Sequence, residues 1–246
     1  MKHPQDHFSN ISKEYKEGRI AYPNDLYEFL IGLCEERNCA WDCATGSGQA
    51  ASDLSRYFDQ VIATDISDAL LSTAATQRNI EYRNAAAENS GIASNSVDLI
   101  TIAQAIHWFE YDEFWPEVER VLKPKGILAY WGYLWPEVNK EIDSLLSTFR
   151  EKIANYWPEK SRILHSNYAE IVAPLKKIQS PNFRITETWS SSQYLTHLSS
   201  WSATRYLREA SCEDIFSETE KELYKLWENH TRTVTWPIIL KVYQKP

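Results

Sequence analysis

The segment Trp41-Asp42-Cys43-Ala44-Thr45-Gly46-Ser47-Gly48-Gln49 places a carboxylate and two glycines within seven positions, between a strand-like run and a helical one. Glycines at such a junction let a ligand approach the backbone, and the following helix offers free N–H groups. The letters Gly46-Ser47-Gly48-Gln49-Ala50-Ala51 satisfy the G-x-G-x-x-G/A pattern of dinucleotide sites. Asp42, four residues before Gly46, opposes that reading, because a carboxylate repels a pyrophosphate at short range. It favours S-adenosylmethionine, which has no phosphate and carries a sulfonium and an ammonium. Asp65 closes the next strand 17 residues after Gly48, where it can accept bonds from both ribose hydroxyls of either ligand. Asp42 could also simply cap the next element.

His107 lies just past a strand end and titrates near neutrality, so it is the candidate for acid–base work. The alternative is a histidine that orders its loop by local hydrogen bonds. Trp108, Trp131 and Tyr133 stand at or beyond the ends of two strands, where aromatic faces could stabilise a cationic cofactor and seal out water. Each of these rings could equally belong to the core. Trp115, Trp227 and Trp236 read as packing. Arg150, Lys152, Lys160 and Arg162 could draw in an acidic acceptor or form a solvated face.

These residues need elements to hold them. Residues 23–37 read as a helix, with Leu26, Phe29, Leu30 and Leu33 at helical spacing. Strands are expected at CAWDCA, QVIATD, IEYRN, VDLITIA and ILAYWGY. Helices are expected from Gln49 to Tyr57, from Ser67 to about Arg78, and after Asp112 as cap, the last ending at KPKG. Alternation of this kind implies right-handed βαβ crossovers and a doubly wound sheet. Residues 134–182, helical and broken by Pro136, Pro158, Pro174 and Pro181, read as an inserted cap. FRITETW, a helical stretch to about residue 231 and the strand VTWPIILKVYQ complete the chain. The expected division is therefore one domain over 1–246: an N-terminal lid and first helix (1–37), a cofactor-binding core (38–133), the cap (134–182) and closing elements (183–246).

Taken in order, the loop DCATGSGQ, the ATD ending at Asp65, AAAEN (85–89), AQAIHWF (103–109) and RVLKPKGILAYWGY (120–133) resemble the successive motifs of class I S-adenosylmethionine-dependent methyltransferases. The branch most resembled is the methyltransferase type 11 group, particularly its trans-aconitate-methyltransferase-like members, whose leader is similar to DHFSNISKEYKEGRIAYP. The resemblance covers most of the chain. It implies an α/β, Rossmann-like doubly wound sheet, mostly parallel with an antiparallel C-terminal strand, and S-adenosyl-L-methionine as cofactor.

By position, Ala44, Thr45 and Gly46 would face the methionine part of the cofactor, with Asp42, Gly48 and Gln49 completing the loop. Asp65 would hold the ribose and Ile66 the adenine. Ala87 and Glu88 would border the adenine edge, Gln104 and Ala105 would flank the methionine part, and Tyr15 and Arg19 would close over it. Tyr22, Trp108, Trp131 and Tyr133 would meet the acceptor. Ala44 stands where the family usually has its first glycine, which costs one methyl of clearance. Ala86 stands where many members have an adenine-binding Asp.

Composition bounds the rest. The 246 residues, 43% hydrophobic and 24% charged, are enough for one core without disulfide staples. A net charge of -8 disfavours a nucleic-acid partner. Residues 1–123 hold 10 Lys+Arg against 20 Asp+Glu, whereas residues 124–246 hold 16 against 14. No window reaches the roughly 18 to 20 apolar residues of a membrane span, and the start lacks the apolar core of a secretory signal, so a cytoplasmic protein is expected. Cys34, Cys39, Cys43 and Cys212 have no metal-ligand spacing and read as reduced thiols; no metal is expected. The expected partner is a small-molecule acceptor, met by a monomer or homodimer. A nicotinamide-dependent oxidoreductase and a cofactor-binding module without turnover remain the alternatives.

Overall fold

The computed structural model describes residues 20–246. An eight-stranded sheet runs in the order β3-β2-β1-β4-β5-β8-β6, with β7 also paired to β8. The strands are β1 (Cys39–Cys43), β2 (Gln60–Asp65), β3 (Ile80–Asn84), β4 (Val97–Ala103), β5 (Leu122–Tyr133), β6 (Lys176–Ile178), β7 (Phe183–Trp189) and β8 (Arg232–Gln244). Strands β3, β2, β1, β4 and β5 are mutually parallel, and β8 runs antiparallel to β5, β6 and β7.

The central strands carry little polarity because helices cover both of their faces. Every residue of β1 is buried, as are the first six of β4. In β5 the pleat sends Ile127, Ala129 and Trp131 to one core and Leu128 and Tyr130 to the other. The first core takes Leu26, Tyr27 and Leu30 from α1 (Asn24–Gly32), together with Leu146 and Phe149 from α5 (Lys140–Lys152). The second takes Phe114, Val118 and Val121 from α4 (Tyr111–Val121).

Several boundaries differ from expectation, each for a local reason. Helix α1 stops at Gly32 because the following Glu35, Glu36 and Arg37 provide nothing to bury. Helix α2 (Gln49–Leu54) likewise ends before Tyr57. Helix α3 spans only Asp68–Leu71: beyond it no large apolar residue follows until Ile80, and the Ser72 and Thr73 hydroxyls bond back to the carbonyls of Ala69 and Leu70. Helix α4 begins at Tyr111 after Glu110, so Asp112 lies in its first turn rather than at its cap. The KPKG segment is a bulge inside β5, not a stop. Val97 pairs with Leu122 and Leu99 with Ile127, and Lys125 takes up the excess at φ 62°.

Residues 134–182 contain α5, a 3-10 turn at Ala154–Tyr156 and α6 (Ser161–His165). They also contain β6, which extends the sheet edge beside β8. Helices α7 (Ser191–Ser199), α8 (Ser202–Glu209) and α9 (Asp214–Trp227) occupy the stretch expected to be helical. Ser190 and Gln193 form a reciprocal capping box at the start of α7. Among the described residues no helix is long and apolar enough to cross a membrane.

Candidate active site

Parallel strands end on one side of the sheet, and the loops leaving β1, β2 and β4 surround a cavity of about 580 Å³. Asp42 is the polar centre of its floor, only 1% exposed. One carboxylate oxygen accepts from Thr45 Oγ1 (2.5 Å) and the Ala51 amide (3.0 Å), and the other from Thr101 Oγ1 (2.9 Å). Burial pushes this carboxyl up to about 6, against the pull of those three donors. Asp42 therefore ties β1, β4 and the start of α2 together as well as lining the cavity.

Asp65 secures the loop from the next strand. Its oxygens accept the amides of Gly46 (2.8 Å) and Ser67 (2.9 Å). A carboxylate has about four lone-pair sites, so two remain for hydroxyls of a ligand. Glu88 at the cavity rim accepts the Glu110 amide (2.9 Å), and Gln49 Nε2 donates to the Ile20 carbonyl (2.8 Å), which fixes the segment entering α1.

The glycines have separate reasons. Gly46 turns the chain at φ 59° and exposes its backbone to the cavity. Gly48 does not line it: at φ 79° it caps α2, and an added Cβ would strike the Tyr82 ring and hydroxyl. Ala44 sits at φ 55° and Gln104 at φ 59°, two side-chain-bearing residues in left-handed conformation at the ends of β1 and β4. An alanine at the first loop position therefore costs backbone strain, of order 1–2 kcal/mol, and not only a methyl of clearance.

Of the expected site residues, Asp42, Ala44, Thr45, Gly46, Gln49, Asp65, Ile66, Ala87, Glu88, Gln104 and Ala105 line the cavity, as do Tyr22, Trp108 and Tyr133. Gly48, His107 and Trp131 do not. Tyr15 and Arg19 lie outside the described residues. Trp131 is fully buried one pleat below Tyr133, and it packs edge-on against Tyr22 (5.4 Å) and Tyr27 (6.2 Å). It supports the wall and does not form it.

His107, in the 3-10 turn Ile106–Trp108, is 5% exposed, and its Nδ1 has no partner. Burial, with His165 and Lys160 nearby, pushes the imidazole down to about 4, so it is neutral at pH 7. A histidine turned into the protein in this state is poorly placed to exchange protons with a ligand in the cavity.

Of the four cations that could draw in an acidic acceptor only Lys160 lines the cavity, and Ser200, Asn89, Phe109, Glu110 and Glu113 line it without having been expected. Lys160, just before α6, reaches across from the cap: its ammonium donates to the Trp108 carbonyl (3.0 Å) and the Glu110 carboxylate (2.9 Å). Ser200 follows α7. Lys160 was visible only as one cation in a basic stretch, and nothing in the local sequence marks Ser200. Among the described residues no group of His, Cys, Asp or Glu could hold a metal ion.

This arrangement suits a phosphate-free nucleoside cofactor. Acids stand at the end of β1, the end of β2 and the rim, while small residues Ala44, Gly46, Ala87 and Ala105 leave room between them. Residues 41–130 match the family model described as a methyltransferase domain. A Dictyostelium discoideum protein named as a methyltransferase is 32% identical over 90% of this chain and 86% of its own. CRG1 of Saccharomyces cerevisiae, named a probable S-adenosylmethionine-dependent methyltransferase, is 28% identical over 92% of this chain and 79% of its own. A solved structure from Anaeromyxobacter dehalogenans, titled a type II methyltransferase, superposes with a TM-score of 0.86 at 31% identity, covering 92% and 97% of the two chains.

The chain belongs to the class I S-adenosylmethionine-dependent methyltransferases and carries their type 11 methyltransferase domain. It is an enzyme whose cofactor is S-adenosylmethionine, and the nicotinamide alternative is set aside.

Proposed function

We propose that the enzyme methylates a carboxylate oxygen of a small acid, in line with the trans-aconitate-methyltransferase-like pattern of its motifs. The observation that carries the proposal is the absence of a histidine base. Among the described residues no histidine lines the cavity, and His107 is buried and neutral. A carboxylate needs no such base, because it is already ionised at pH 7. Lys160 lines the same wall, its ammonium shared between the Trp108 carbonyl and the Glu110 carboxylate.

S-adenosylmethionine supplies a methyl group activated by its sulfonium. In this reading Asp65 takes the ribose hydroxyls, Glu88 and Ile66 border the adenine, and the backbone of Ala44–Gly46 lies along the methionine part, held in shape by Asp42. Trp108 and Tyr133 frame the acceptor end, exclude water and align the nucleophile for in-line displacement. Their faces also suit a sulfonium positive charge. The enzyme works as a monomer or homodimer on a free small molecule.

The test is incubation with methyl-labelled cofactor and a panel of carboxylic acids, phenols and amines. Alkali-labile label in a carboxylic acid, as a methyl ester, is expected. Label confined to amines would overturn the reading.

A further inference from the structure

The cap holds a half-buried cation that belongs to no ion pair among the described residues. Arg150, in the last turn of α5, holds its guanidinium carbon 3.9 Å from the centre of the Trp135 ring. Trp135 in turn meets Trp201 (5.2 Å), Trp157 (5.5 Å) and His165 (4.7 Å), forming an aromatic cage. The cage does not line the cavity but is joined to its wall by ring contacts: Trp201 meets His197 (5.9 Å), which meets the cavity-lining Tyr133 (6.3 Å).

Neighbouring cations are compensated. Lys152 pairs with Glu218 at 3.0 Å and Lys160 with Glu110 at 2.9 Å. Arg150 is half-buried, belongs to none of the ion pairs among the described residues, and its Nε is buried without a hydrogen-bond partner. Burial pulls its pKa below the usual arginine value, against the opposing effect of Glu151. The indole face and the C-terminal end of α5 offset part of the charge, but neither takes up the hydrogen bonds of the guanidinium. An arginine held in place with N–H groups to spare is the residue that grips a carboxylate or phosphate through two parallel bonds.

We propose that Arg150, held against Trp135, is the receptor for a second anionic group of the acceptor, a carboxylate or phosphate remote from the atom that takes the methyl. The inference rests on the acceptor end described under the proposed function, and it makes the preferred substrate one that carries an oxyanion besides its nucleophile.

The experiment titrates wild type with glutarate, with inorganic phosphate and with neutral glutaramide, in the presence and absence of S-adenosylhomocysteine. Tryptophan fluorescence of the cage and calorimetry provide the readouts. Binding of glutarate or phosphate but not of glutaramide is expected, and the stronger of the two anions identifies the group. R150Q should weaken that binding about tenfold or more, and R150K, which keeps the charge but loses the fork, should fall between. Both variants should melt and bind S-adenosylhomocysteine as wild type does. Equal oxyanion binding by wild type and R150Q, equal binding of glutaramide, or no oxyanion binding by wild type would overturn the proposal. Failure of S-adenosylhomocysteine to bind wild type would instead strike the cofactor reading, which the titration without it keeps separate.

Discussion

The two ends of the cavity are assembled differently. At the proposed cofactor end, Asp42 comes from β1, Thr45 and Gly46 from the loop that follows it and Asp65 from the next strand, and they are joined by short bonds among themselves: Thr45 to Asp42, Gly46 to Asp65. At the proposed acceptor end, Trp108, Tyr133, Lys160 and Ser200 come from four separate segments, and the bond from Lys160 to the Trp108 carbonyl spans 52 residues. The first end is a local structure pinned by carboxylates. The second is a meeting of distant pieces, whose arrangement depends on where the cap sits.

The largest effect that would break this contrast is at Asp65. D65A removes the acceptor of the Gly46 amide and the proposed ribose partner. The thermal stabilisation by S-adenosylhomocysteine, about 2.7 kcal/mol at 100 times its Kd for wild type, should disappear. An unchanged shift would remove Asp65 from cofactor binding.

W108A and Y133A should act at the other end only. Acceptor KM is expected to rise by about tenfold or more while S-adenosylhomocysteine affinity stays near wild type. A parallel loss of cofactor affinity would show that the two ends are one unit.

Asp42 supplies a pH test. Its folded-state value of about 6 lies above the ordinary 3.8, so the folded protein holds this proton more tightly than the unfolded chain. Its contribution to stability therefore declines as pH rises from about 4 to about 6. D42N, less stable overall because one amide oxygen replaces two carboxylate oxygens, should lack that decline. The difference in Tm between wild type and D42N measured across this range should accordingly shrink as pH rises.

A44G relieves a left-handed alanine and is expected to stabilise the protein by about 1 kcal/mol, read by denaturant melting. A loss of stability would mean that the Ala44 methyl makes packing contacts worth more than the strain. The smallest effect belongs to H107Q: the pH dependence of methyl transfer between 6 and 8 should keep its wild-type shape, because His107 is neutral throughout that range. A lost inflection would restore the histidine to the chemistry.

Legibility followed the same division. The β1–loop–α2 unit and Asp65 could be read directly, because the carboxylate, the glycines and the strand ends are close in sequence, although Gly48 caps α2 and does not line the cavity. The rings could not be assigned from the sequence. Trp131 and Tyr133 are two residues apart on β5 and share a face, yet one is sealed beneath Tyr22 while the other borders the cavity. His107 and Trp108 are adjacent, and only the second lines the cavity. The KPKG bulge was similarly hidden, since a Pro and a Gly after a helix read as a stop unless the partner strand's register is known.

By itself the sequence determined the parallel α/β order, the cofactor loop and the acid at each of two strand ends, because these depend on alternation, glycine and local charge. Tertiary structure alone decided which aromatic rings and cations line the other end of the cavity. Lys160 and Ser200 reach the cavity, and Arg150 the adjoining cage, only through packing between segments far apart in the chain, and local spacing carries no record of such contacts.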